Sequence, residues 1–224
     1  MITIPLEEPP SAALGLDEGR RRQLVRGETL FSPGEFPDFV FRLESGLVKI
    51  CAPEAFSGRD AVLDLIRPGQ IFGIKQALLG TAHTSSAKCL ADGGVFEIPT
   101  EMFIGRCESE PAMWRSVAQH LGEQQETLHR RIDMLIRRDV EYRLATTLLD
   151  LAESFGPEQT GDYVIPLSQE DFADLVGATR ETASGKLNQF QKKRLVRLGR
   201  RRVVIARLEP LRALLDVNQR PRRD

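Results

Sequence analysis

Hydrophobic and polar positions alternate in the first half of the chain and recur at helical spacing in the second. Phe39, Phe41 and Leu43 alternate with Val40, Arg42 and Glu44, a period of two that predicts a strand with its aromatic and aliphatic face on a core and its other face outward. Similar signals, broken by turn residues every 8–12 positions, extend over 30–98 and predict an all-β unit, a compact barrel or jelly roll. Gly34, Gly46, Gly69 and Gly73 punctuate it where corners need positive φ or no side chain. Upstream, 14–25 reads as a short helix after a Pro-rich, acidic start.

The period changes near Glu110. Pro111 suits a first helical turn, and up to about Arg138 only Gly122 interrupts the helix formers. Val117, Leu121, Leu128, Ile132 and Leu135 form a narrow apolar seam, which expects a matching seam in a second copy or else the chain's own β-domain. A second helix over 141–155 stops at Gly156-Pro157, and a short strand follows at 163–166. Ser168 precedes acids in a first turn and caps a short helix ending at Gly177; Thr179 opens the next, which runs to about Lys193. Segments 195–198 and 203–206 read as two strands around a basic loop. The fold class is α+β, with a β-domain over 1–109, a long helix over 110–138 and a winged helix-turn-helix over 139–224.

With 41% hydrophobic and 28% charged residues in 224, the composition is that of an ordinary globular protein. No stretch approaches the ~20 apolar residues of a membrane span, and MITIPLEEPP lacks the basic n-region of a signal peptide, so the expected location is cytoplasmic, with no membrane partner. Cys51, Cys89 and Cys107 are too far apart for zinc pairs and are expected to be buried hydrophobes; no metal site is predicted. The net charge of −1 hides an asymmetry: residues 1–136 carry 14 Lys/Arg against 19 Asp/Glu, and residues 137–224 carry 17 against 13. Within 180–207, ten basic residues face one acid, Glu181, a cluster suited to a polyphosphate partner.

A short helix, a tight Gly177-Ala178-Thr179 turn and a second helix beginning Arg180-Glu181-Thr182 has helix-turn-helix spacing. In such a module the first turn of the second helix enters the major groove, so Arg180, Glu181, Ser184 and Lys186 are the candidate base readers. Arg180 matches guanine O6/N7 and Glu181 accepts from cytosine N4. Ser168, Gln169, Thr179, Thr182, Lys192, Arg200, Arg201 and Arg202 are candidate phosphate contacts, which set affinity and not sequence choice. Lys193 and Arg194 extend the same basic end of the helix.

The stretch LSQEDFADLVGATRETASGKLNQFQKKRLVRLGRRRVVI (167–205) resembles the winged-helix signature of the Crp–Fnr family, the regulators related to the cAMP receptor protein. LFSPGEFPDFVFRLESGLVKI (30–50) is similar to its opening β-roll repeat, LDLIRPGQIFG (63–73) to the turn before its effector pocket, and Asp139-Val140 stands where the family has its hinge. The resemblance implies a homodimer on a two-fold symmetric DNA site that contacts RNA polymerase. It also implies an effector pocket around Phe72, Gly73, Ile74, Lys75, Ser85, Ser86 and Leu128. Cyclic-nucleotide-binding members have Glu directly after Phe-Gly and an Arg-Ser pair further on; here Phe72-Gly73 is followed by Ile74-Lys75, and Thr84-Ser85-Ser86-Ala87 lacks the arginine. The small hydroxyl residues that touch the base in those relatives are replaced near Leu128-His129. A cyclic nucleotide thereby loses the carboxylate that holds its ribose and the arginine that pairs with its phosphate, and Lys75 has no bidentate fork to replace the latter, so cAMP is not the expected effector.

Residues 1–50 contain no cysteine, which excludes an Fnr-type iron–sulfur cluster. His83, His120, His129 and Cys89 stand alone in their segments, so a haem role is not expected either. No cofactor is predicted, and any effector is an unidentified small molecule. Many relatives carry Arg one position after the small residue that is Ser184; Gly185 here leaves inner bases to Lys186 or to no residue. An enzyme reading, a cupin-like metal oxygenase, fails because residues 1–110 hold only His83. No nucleophile–base arrangement, Walker loop or GxGxxG is present. The alternative is a sensor or regulatory subunit acting through protein contacts with only non-specific DNA affinity.

Overall fold

A computed structural model describes residues 19–53, 61–137 and 139–218. It divides into two compact units, Met1–His129 and Arg130–Asp224, the division falling inside a long helix. In the first unit β1 (Arg20–Leu24), β2 (Thr29–Phe31), β3 (Phe39–Ala52), β4 (Ala61–Ile66), β5 (Ile71–Phe72) and β6 (Ser86–Pro99) form an antiparallel sheet in the order β1-β6-β3-β4, with β2 also on β6 and β5 also on β3. α1 (Ile74–Leu79), α2 (Thr100–Ser109) and the long α3 (Pro111–Arg137) complete the helices of this part of the chain. The long pair β3·β6 runs from Phe39↔Pro99 to Cys51↔Ser86.

Neighbouring residues on a strand face opposite ways, and here both faces are covered. Phe41 joins Phe31, Leu43, Val48, Phe72 and Val95 on one side. Val40, expected to face outward, is fully buried in the other cluster, under Phe103 and Cys107 of α2 and Met113 and Val117 of α3. Neither α1 nor α2 was expected within the β-domain. Gly34, Gly46, Gly69 and Gly73 all have φ between 84° and 90°. Gly46 makes no corner: β3 runs through it, with register shifts on both sides, and a Cβ there would lie 2.6 Å from the Ala91 carbonyl oxygen.

The expected helix over 14–25 is corrected to a strand at Arg20–Leu24, paired with β6 from Arg20↔Glu97 to Leu24↔Gly93; residues 14–18 lie outside the described residues. Side chains two apart share a face only in a strand, and Arg20 and Arg22 both reach the Glu97 carboxylate, at 2.7 and 2.6 Å.

The seam on α3 divides. Val117 is buried against the β-unit and Leu121 packs on the same cluster, so these two serve the chain's own domain, the outcome the sequence had left open. Leu128, Ile132 and Leu135 are 43%, 52% and 42% exposed.

In the second unit α4 (Val140–Phe155), α5 (Gln169–Val176), α6 (Arg180–Lys192) and an unexpected α7 (Glu209–Asn218) accompany a small antiparallel sheet, β7 (Tyr163–Ile165)-β9 (Arg202–Ile205)-β8 (Arg197–Gly199). Leu144, Leu148, Phe172, Leu187, Phe190 and Ile205 are buried together with no solvent exposure. The three cysteines are free and buried, as expected.

Candidate nucleic-acid interface

Local capping fixes the two helices that carry the basic cluster. Ser168 Oγ accepts from the Asp171 N–H at 3.2 Å while the Asp171 carboxylate accepts from the Ser168 N–H at 2.7 Å, a reciprocal capping box at the start of α5. Gly177, left-handed at φ 60°, ends the helix and donates back to the Ala173 and Asp174 carbonyls. Thr179 Oγ1 then accepts from the Thr182 N–H at 3.2 Å and caps α6. Ser168 also donates its hydroxyl to Asp171 at 2.7 Å. The N–H and hydroxyl of Ser168, expected at a phosphate, are thus both engaged in the cap.

Ala183, Leu187 and Phe190, four and three residues apart, are the buried face of α6. Glu181, Gly185, Asn188 and Lys192 recur at four, three and four on the opposite side, and all four are exposed, as are Arg180, Thr179 and Thr182. Ser184 and Gln169 are half-buried. Sequence reasoning missed Asn188, whose signal was its place seven residues after Glu181; an asparagine amide pairs bidentately with adenine N6/N7. Gly199↔Arg202 closes the β8–β9 hairpin over Arg200 and Arg201, and Arg200, Arg201 and Arg202 are exposed at its tip. Arg201 takes a left-handed backbone, φ 54°. Arg197 instead pairs with Asp162 at the base of the wing.

Lys186 does not join the outward face. Its Nζ donates to Glu141 Oε2 at 2.8 Å, and Lys193 Nζ donates to Glu141 Oε1 at 3.3 Å. Lys186, expected among the base readers, thus lies on the flank of α6 facing α4, paired with Glu141 and apart from the outward face.

The residues expected around an effector pocket occupy different settings. Phe72 belongs to one apolar cluster and Ile74 to the other, across the sheet, because the left-handed Gly73 turns the chain between them into α1. Lys75 is exposed. Ser85 and Ser86 are buried, Ser86 Oγ donating to the Cys51 carbonyl at 3.5 Å. A cavity of about 480 Å³ lies elsewhere in this unit, lined by residues that include Arg20, Arg22, Phe31, Phe39, His83 and Glu97 and by none of the expected ones. His83, only 3% exposed, stacks on Phe31, and its Nδ1 has no hydrogen-bond partner among the described residues. Burial pushes its pKa down, with Lys75 adding to and Glu35 opposing the shift. Among the described residues no group of three His, Cys, Asp or Glu is placed to hold a metal, and no helix is long and apolar enough to cross a membrane.

Two family models match the two parts of the chain: a cyclic nucleotide-binding domain over residues 21–110 and a Crp-like helix-turn-helix domain over 142–214. The CRP-like cAMP-activated global transcriptional regulator of Mycobacterium tuberculosis is 30% identical over 206 residues, 91% of this chain and 92% of that protein. The transcriptional regulator SdrP of Thermus thermophilus is 27% identical over 194 residues, 85% and 91% of the two chains. Among solved structures, a CRP/FNR-family transcriptional regulator from Thermus thermophilus superposes with a TM-score of 0.73 at 25% identity, covering 88% of this chain and 98% of that one. A β-sheet sensor-type unit joined to a winged helix-turn-helix defines a class, the sequence-specific DNA-binding transcription regulators. Within it, this chain belongs to the Crp–Fnr family.

Proposed function

We propose that the chain works in the cytoplasm as a homodimer that binds a two-fold symmetric operator, without cAMP as effector, and activates transcription through RNA polymerase. The observation that carries the dimer is the exposed apolar stripe on α3: Leu128, Ile132, Leu135 and Ile136, the last 77% exposed. Apolar residues at this spacing on one helix face suit a two-fold pairing with the same helix of a second copy. Two recognition helices held in that way would meet successive major grooves about 34 Å apart. Arg180, Glu181 and Asn188 would read bases, while Lys192 and the Arg200–Arg202 tip would hold phosphates. Ile74, packed in an apolar cluster where cyclic-nucleotide-binding relatives carry glutamate, speaks against cAMP. A different small effector has the cavity beside His83 available, and would act only by binding the DNA-competent arrangement more tightly than the other.

Sedimentation and calorimetry test this reading. The wild type should sediment as a dimer and Ile132→Glu as a monomer with lost affinity for a palindromic duplex. Titration with cAMP should give no saturable heat. A wild-type monomer contradicts the dimer, and saturable cAMP binding contradicts the account of the pocket.

A further inference from the structure

Glu141, the second residue of α4, takes one ammonium on each carboxylate oxygen: Lys186 at 2.8 Å and Lys193 at 3.3 Å. The two lysines are seven residues apart, so both stand on one flank of the α6 segment. Glu141 is 19% exposed, Lys186 32% and Lys193 55%, so the pair to Lys186 is the more sheltered from solvent and salt. The carboxylate sits in the first turn of α4, where the helix dipole favours negative charge. Hydrogen bonding from Lys186, first among several causes, holds its carboxyl below the usual range and keeps it ionised.

Sequence-independent affinity for DNA grows with each cation that neutralises a phosphate, and such cations add no discrimination. A carboxylate that engages two lysines on the flank of a recognition helix removes that much indiscriminate attraction while leaving the outward face untouched. We infer that Glu141 is a specificity-determining residue: it withholds Lys186 and Lys193 from phosphates, so that discrimination rests on Arg180, Glu181 and Asn188. This inference rests on the DNA-binding reading above and adds a residue outside the helix-turn-helix itself.

Binding of wild type and Glu141→Gln to a selected duplex and to a random duplex, measured across a salt series, tests it. With both lysines released, the slope of log K against log salt on random duplex should steepen by about 1–2 and the selected-to-random ratio should fall. Adding Lys186→Gln and Lys193→Gln to the Glu141→Gln chain should cancel the steepening. A Glu141→Gln chain that melts like wild type and keeps the wild-type slope and ratio overturns the inference, leaving the pair as packing only. If Glu141→Gln does not fold, lysine Nζ resonances of the wild type decide. A Lys186 signal unmoved by added duplex supports the clamp, and one that shifts with duplex overturns it. A wild type that does not distinguish the selected from the random duplex refutes the DNA-regulator reading separately, while the slope comparison on random duplex still judges Glu141.

Discussion

The imidazole of His83 lies flat on the ring of Phe31, centroids 3.8 Å apart and planes 8° from parallel. The stack closes one side of an aromatic group in which Phe31 also neighbours Phe41 and Phe72. A charged imidazolium in that setting is desolvated, and the same holds for His120, 6% exposed on α3 and hydrogen-bonded to the Ile71 backbone. Burial lowers both pKa values in the folded protein. The unfolded chain therefore binds more protons on acidification: stability is full above the ordinary imidazole value of about 6.5 and falls as pH drops below it. Melting temperatures should fall between pH 7 and pH 5.5, and less steeply in His83→Gln. The carboxylates with lowered pKa, Glu28 and Glu141, lose their contribution only at more acid pH. A melting temperature flat from pH 7 to 5.5 would contradict the burial of neutral imidazoles.

Glu97 is 1% exposed and its charge is met by Arg20 and Arg22, while Arg22 also pairs with Glu28. Arg20 is largely solvated, so Arg22 carries most of the compensation. Arg22→Met should cost about 2–3 kcal/mol, because it leaves a buried carboxylate short of a partner. Glu97→Met added to it should restore part of the loss. Denaturant midpoints of the single and double variants check this, and equal stability of Arg22→Met and wild type would contradict it.

Two left-handed residues in the second unit should respond in opposite ways. Gly177→Ala forces a Cβ into the left-handed region and within 3.3 Å of Leu135 Cδ2, and should cost more than about 1 kcal/mol. At Arg201 the wild type already carries the Cβ penalty, so Arg201→Gly should stay within about 0.5 kcal/mol of wild-type stability. Its DNA affinity should drop alike for all sequences, with the salt slope shallower by about 0.9. A wild-type salt slope in Arg201→Gly would remove the wing tip from the phosphate contacts.

What was legible in the sequence was local. Ser168, Gly177 and Thr179 announce the ends of α5 and α6 because each cap involves residues no more than about five positions away. Pro111 and Gly156-Pro157 mark helix ends in the same way. The rest depended on distant partners. Arg20–Leu24 is a strand because β6 lies beside it, 69–77 positions along the chain. Val40 is buried because α2 and α3 cover the second face of β3, which alternation alone cannot show. Lys186 faces α4 because of Glu141, 45 residues earlier. Phe72 and Ile74, adjacent to one glycine in the sequence, part because Gly73 sends them into different clusters on either side of the sheet.

The central claim, that the outward face of α6 reads base sequence, is tested most directly by selecting bound sequences from a random duplex pool with purified wild type and with Arg180→Ala. The wild type should enrich a palindrome with G·C pairs in each half-site. Arg180→Ala should lose preference at one base pair per half-site at a cost of about 1–3 kcal/mol. No enrichment by the wild type, or an unchanged consensus with Arg180→Ala, would contradict the account.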